Sequence, residues 1–163
     1  MKLQKIVNRL QKLHPKEIDL SLDRIKNLCK KLGNPQDQIK AISVVGTNGK
    51  HSTINAIFSI LKEAKIKCNV YTSPHIQRIN ERFIFNNQEL DDEKLADLFE
   101  EVEKINENQE ITFFEILTAC FFYKAAKYPN NVNLIEAGLF HRFDATNLLK
   151  SNLASIVCSI SKD

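Results

Sequence analysis

The sequence predicts an α/β fold, a parallel sheet with helices on both faces. Two observations predict it. Apolar strand-like segments alternate with helical ones along the chain, a pattern that builds parallel sheets covered on both sides. In addition, the stretch ISVVGTNGKHST, residues 42–53, runs from a strand through a glycine-punctuated turn into a helix start. That is the local architecture of a phosphate-binding (P-loop) turn. The length of 163 residues suits one domain with a real hydrophobic core.

Leu3, Ile6, Leu10 and Leu13 recur at helical spacing, and Pro15 closes that helix. Leu22, Ile25, Leu28 and Leu32 mark a second helix, stopped by Gly33, Asn34 and Pro35. KAISVV, residues 40–45, reads as a short buried strand. Ile54, Ile57, Phe58 and Leu61 mark the helix that follows the glycine turn. IKCNVYTS, residues 66–73, is the next strand, and RFIFNNQEL, residues 82–90, is a small hairpin turning at Asn86 and Asn87. DDEKLADLFEEVEKI, residues 91–105, is an amphipathic helix with Leu95, Leu98, Val102 and Ile105 inward. Thr112 and Glu115 have capping-box spacing ahead of a nearly all-apolar, buried helix through Ala126. NVNLIEA, residues 131–137, and NLASIVCSI, residues 152–160, are two further apolar strands.

A net charge of +3 is too mild to argue for nucleic acid or an anionic membrane as a partner. No apolar run approaches a membrane span, and residues 1–17 lack the apolar centre of a secretory signal. The expected location is the cytoplasm. The four cysteines, Cys29, Cys68, Cys120 and Cys158, are far apart with no C-x-x-C pair, so reduced, buried thiols are expected.

In the glycine turn, Gly46 and Gly49 allow close backbone approach, and Lys50 is placed to reach terminal phosphates. The general pattern G-x-x-x-x-G-K-[ST] is not met. Val44 stands where its first glycine belongs and His51 where its Ser/Thr belongs. On that pattern alone, a plain glycine-rich strand-to-helix turn is the alternative.

Four motifs occur in order: GTNGKHST (46–53), YTSPHIQRINERF (71–83), TFFEILTACFF (112–122) and EAGLFHRFDATN (136–147). Together they closely resemble the folylpolyglutamate synthase/dihydrofolate synthase family, the folate branch of the Mur-type ATP-dependent ligases. The resemblance runs from about residue 42 to the end of the chain. It implies a Mur-ligase-like central ATPase domain, here incomplete, with residues 1–38 as a helical lead-in. It also implies a reaction. ATP phosphorylates a folate or pteroate carboxylate, glutamate nitrogen attacks the acyl phosphate, and phosphate leaves.

By position, the resemblance places Gly46, Thr47, Asn48, Gly49, Lys50 and Ser52 around the ATP phosphates. It places Ser73 and Glu136 on Mg2+, for which hydroxyl and carboxylate oxygens are suitable ligands. Residues 74–82 border the folate or pteroate pocket, with Pro74, His75, Arg78 and Arg82 as substrate-side residues. Read without the resemblance, Ser73 is a turn or cap, Glu136 a partner for a surface lysine, and Glu81 with Arg82 a hairpin ion pair.

The chain departs from the family pattern at three places. His51 replaces a glycine where the helix begins, a place that does not forbid a side chain; Phe140 and His141 replace two more, and bulky residues at those two positions require a changed loop. The resemblance also implies a histidine metal ligand, a carbamylated lysine and a C-terminal glutamate-ligase domain beyond Asp163. The chain alone is therefore expected not to complete the reaction. A nucleotide-binding half served by a second chain, and an inactive remnant, are the alternatives. The choice between dihydropteroate and tetrahydrofolate stays open, as do the oligomeric state and the effects of His51, Phe140 and His141.

Overall fold

The computed structural model describes residues 2–12, 21–138, 143–150 and 152–161. The expectations for Leu13, Pro15, Phe140, His141 and Asp163 lie outside the described residues.

Helix α1 (Lys2–Lys12) buries Leu3, Ile6, Val7 and Leu10, the apolar stripe its spacing predicts. Helix α2 (Asp23–Lys31) ends where Gly33 (φ 84°) and Asn34 (φ 54°) turn left-handed. Strand β1 (Lys40–Val45) leads through the glycine turn into α3 (Lys50–Glu63). Strand β2 (Cys68–Tyr71) follows, then β3 (Phe83–Phe85) and β4 (Gln88–Glu89). Asn86 and Asn87 join β3 to β4 with φ of 54° and 68°, the two positive values that a type I′ hairpin turn needs.

Helix α4 (Asp92–Asn106) is capped by Asp91, whose side chain accepts from the Lys94 N–H. Helix α5 (Phe113–Ala125) opens on the expected capping box. The Thr112 hydroxyl accepts from the Glu115 N–H at 3.2 Å, and the Glu115 carboxylate accepts from the Thr112 N–H at 2.7 Å. The same carboxylate, almost fully buried, receives the Arg24 guanidinium at 3.0 Å and ties α2 to α5. Strands β5 (Val132–Glu136) and β6 (Ala154–Val157) complete the sheet.

The strand order is β4-β3-β2-β5-β1-β6. Strands β2, β5, β1 and β6 are mutually parallel, whereas β3 pairs antiparallel with β2 and β4 with β3. The sheet is thus mixed: β2, β5, β1 and β6 form the expected parallel sheet, and the expected hairpin adds an antiparallel pair of short strands on the free side of β2.

Helices do cover both faces. On one face Ile54 of α3 meets Val44, Val70 and Leu134. On the other, Tyr71, Phe83, Phe85 and Ile135 pack with apolar residues of α1, α2, α4 and α5. The lead-in helices belong to this same core rather than forming a separate unit. Among the described residues no helix is long and apolar enough to cross a membrane. Cys29, Cys68 and Cys120 are buried free thiols, as expected, while Cys158 is half-buried.

Candidate functional site

Register sets the site. Val44 of β1 lies beside Glu136 of β5, and Ile135 of β5 beside Tyr71 of β2. The turn after β1, the residues after β2 and the last residue of β5 therefore meet at one end of the sheet. These are the carboxyl ends of parallel strands, where such sheets place their ligands.

Gly46 and Gly49 both adopt positive φ, 138° and 87°. Lys50 is the first residue of α3, and its ammonium arches back over the turn to donate to the carbonyls of Gly46 (2.8 Å) and Thr47 (3.2 Å). The first helical turn leaves the N–H groups of Lys50, His51 and Ser52 without partners inside the helix, and the helix dipole favours an anion there. Thr47 and Asn48 act differently from Gly49, Lys50 and Ser52. Both of their N–H groups donate to the Ser159 carbonyl, at 2.9 and 3.2 Å. The Asn48 amide also donates to the Ser161 hydroxyl at 3.2 Å. This pair anchors the turn to the segment after β6.

Glu136 is 4% exposed. Its Oε2 accepts the Ser73 N–H at 3.1 Å, and His51 Nδ1 stands 3.9 Å away. Burial raises the Glu136 pKa, opposed by the Ser73 N–H and by the charges of Lys50, His51 and Arg82. The alternative of a surface lysine partner fails, because this carboxylate is interior and faces the glycine turn. A desolvated carboxylate beside a serine is a donor set that fits a hard divalent cation. Among the described residues no group of three or more His, Cys, Asp or Glu gathers for a metal, so any ion there draws on hydroxyl, phosphate or water oxygens as well.

The segment after Ser73 is held tightly. The Ser73–Pro74 peptide is cis. Arg82, 9% exposed, donates through Nε to His75 Nδ1 at 2.9 Å. Burial, with the Arg82 charge, lowers the His75 pKa, which keeps the ring neutral. Pro74 and Arg78 are exposed, and Arg78 pairs with Glu89 at 2.7 Å.

The alternative of a Glu81–Arg82 ion pair gives way to two separate contacts. Glu81 instead gathers the N–H groups of Ile76 (2.8 Å), Gln77 (3.1 Å) and Arg78 (2.8 Å). These bonds favour its ionised form and lower its pKa. Stabilisation from a lowered carboxylate pKa is fully present above the ordinary value near 4.5 and is lost as pH falls through the lowered one. Hydrogen exchange protection of the Gln77 and Arg78 amides should therefore hold at neutral pH and collapse in acid. In Glu81→Ala it should be at least roughly tenfold weaker at neutral pH and should match wild type in acid, whereas global melting moves little. Unchanged protection in that variant would show that the clasp is idle.

Sequence reasoning missed three other contributors. Ser159 acts through a backbone carbonyl, which carries no sequence signal. Ser161 is one serine in a polar tail. Asp144 is buried and accepts from the Gly138 N–H (2.9 Å), the Thr146 N–H (2.9 Å) and the Thr146 hydroxyl (2.5 Å). The D-x-T spacing signals such a local turn.

A mostly parallel sheet with a strand, glycine turn and helix, and an acidic residue ending the neighbouring strand, defines the nucleotide-binding α/β class. Comparison with protein-family models finds no match. Comparison with curated proteins and solved structures is more specific. The dihydrofolate synthase/folylpolyglutamate synthase of Haemophilus influenzae is 40% identical over 156 residues, 94% of this chain and 35% of that protein. Escherichia coli FolC in complex with DHPP and ADP is 34% identical with a TM-score of 0.90, covering 99% of this chain and 39% of that one. The Yersinia pestis bifunctional folylpolyglutamate synthase/dihydrofolate synthase complexed with AMPPNP and Mn ion is 32% identical with a TM-score of 0.85, covering 94% and 38%. Over nearly its whole length the chain is similar to these dihydrofolate synthase/folylpolyglutamate synthases. It spans little more than a third of the length of these relatives.

Proposed function

We propose that this chain binds Mg-ATP as the nucleotide-binding part of a ligase that joins glutamate to a folate or pteroate carboxylate. The carrying observation is the convergence of the Lys50 turn and the buried Glu136 on one end of the sheet. Relatives solved with ADP, with AMPPNP and Mn, and with L-glutamate support the reading.

In this reading Gly46 and Gly49 keep the turn open to phosphate. The first-turn amides of α3, including Ser52, and the Lys50 ammonium hold the terminal phosphates. Thr47 and Asn48 fix the turn in place. Glu136 and the Ser73 hydroxyl hold Mg2+, which when bound neutralises charge that develops on the transferred phosphoryl group. Pro74, His75, Arg78 and Arg82 border the carboxylate substrate. Here Arg82 contributes its field from beneath and keeps His75 oriented, while Arg78 must leave Glu89 to reach an anion. Turnover is expected to need the part of the relatives that this sequence does not span.

Calorimetry with Mg-ATP tests the reading. Wild type should bind, and Lys50→Ala should bind at least roughly a hundredfold more weakly, the loss of about 2.7 kcal/mol expected for a charge-assisted phosphate contact. Circular dichroism should show both chains folded. Equal binding by the two would overturn the reading. Incubation with ATP, Mg2+, glutamate and either pteroate or folate substrate should release no glutamate-dependent phosphate from this chain alone.

A further inference from the structure

We propose that His51 is a nitrogen ligand to the divalent cation held at Glu136, and that it tunes the site toward first-row transition ions such as Co2+ over Mg2+. The inference rests on the proposed nucleotide site and deepens it, because His51 stands where the resembled family pattern has a glycine.

The observation is a spacing. His51 Nδ1 lies 3.9 Å from Glu136 Oε2, too long for a hydrogen bond. Two donors that each bind one ion at about 2.1 Å stand roughly 3.0 Å apart at adjacent octahedral corners and roughly 3.4 Å apart in a tetrahedron. A movement of under roughly 1 Å closes the gap. The two groups differ in freedom. The Glu136 side chain is 5% exposed and fixed by the Ser73 N–H at 3.1 Å, whereas the His51 side chain is 54% exposed and has room to turn. The carboxylate thus provides a fixed anchor and the imidazole an adjustable arm.

Chemistry sets the selectivity. A serine hydroxyl, a carboxylate and phosphate oxygens are hard donors that suit Mg2+. An imidazole nitrogen adds little for Mg2+ but favours later first-row ions, whose affinities rise along the Irving–Williams order. His51 also lies one residue after Lys50, on the first turn of α3. An ion between it and Glu136 would sit beside the phosphates held by that turn.

The test uses the untagged full chain titrated with Co2+ and, separately, with Mg2+, each with and without ADP. Binding is read by calorimetry, by the visible Co2+ absorption and by paramagnetic shifts of the histidine ring protons. Wild type should bind Co2+ at least roughly tenfold tighter than His51→Ala, with less than twofold change for Mg2+. The His51 ring should carry the paramagnetic shift, and Glu136→Gln should remove it. The conservative variant His51→Gln should behave as His51→Ala. Equal Co2+ affinity in wild type and His51→Ala, or a shift confined to other histidines, overturns the inference. If ADP still binds in a Lys50-dependent way while the Co2+ preference is missing, only the His51 assignment fails. Loss of ADP binding in every chain, wild type included, overturns the nucleotide site beneath it.

Discussion

Replacing Gly46 by alanine is expected to destabilise the chain by about 3–5 kcal/mol and to abolish nucleotide binding. Two effects add. Gly46 has φ 138°, a conformation that side-chain-bearing residues rarely adopt, with strain of about 1–3 kcal/mol. A β-carbon there would also stand 2.9 Å from Cys158 Cβ and 3.1 Å from its carbonyl carbon and oxygen. Cys158 has little room to retreat. Its N–H donates to Val45 at 2.7 Å, and the next carbonyl holds the N–H groups of Thr47 and Asn48. Pushing β6 away to make room therefore loosens the phosphate turn itself. Gly49 is the control. It has φ 87° but nothing within 4 Å of a built β-carbon, so Gly49→Ala should cost only about 1–2 kcal/mol of strain. Urea titration of both variants, with Mg-ATP calorimetry, separates the two effects. Equal losses in stability would mean that the close approach to β6 is unimportant and that dihedral strain is the whole effect.

The features that were legible in the sequence are those with a local signature. The capping box at Thr112 and Glu115, the Asn86–Asn87 turn and the glycines at 46 and 49 each follow from short-range backbone requirements. Pairing between distant segments has no such signature. Nothing local says that β5 inserts between β1 and β2, or that the hairpin docks on β2 with Val70 beside Ile84. The strand order was not legible for that reason. Glu81 and Arg82 show a second kind of limit. They are adjacent and opposite in charge, so an ion pair is the natural reading. In the short 3-10 turn they point to different targets, one to backbone amides and the other to His75. Ser73 and Glu136 are ordinary residues in isolation and became site candidates only through the linked motifs around them.

The buried asparagines carry the other large prediction, because the strands that hold them read as simply apolar. Asn69 of β2 and Asn133 of β5 are directly paired and fully buried. The Asn69 amide donates to Asn133 Oδ1 at 2.8 Å, and the Asn133 amide donates to the carbonyls of Lys40 (3.0 Å) and Asn131 (3.2 Å). Asn69 Oδ1 in turn accepts from the Asn86 N–H at 2.9 Å and the Asn131 amide at 3.0 Å. Asn133→Leu keeps the number and branching of the side-chain heavy atoms but takes away the Asn69 amide's acceptor and the donor to two carbonyls. At about 1–3 kcal/mol for each buried group left unpaired, a loss of about 3–5 kcal/mol is expected in urea unfolding. Asn133→Asp should be worse, since it sets a carboxylate against two carbonyl oxygens. Adding Asn69→Leu to Asn133→Leu should cost less than the sum of the single changes, because the partner is already lost. A change below 1 kcal/mol in Asn133→Leu would show that water or neighbouring groups replace the network. The consequence reaches the opposite end of the strands. The register that pairs Asn69 with Asn133 is the one that pairs Tyr71 with Ile135 and brings the Ser73 N–H to Glu136. A one-residue slip would turn Glu136 to the other face of the sheet. The asparagine pair therefore holds the proposed cation ligands in register from the far end of the same two strands.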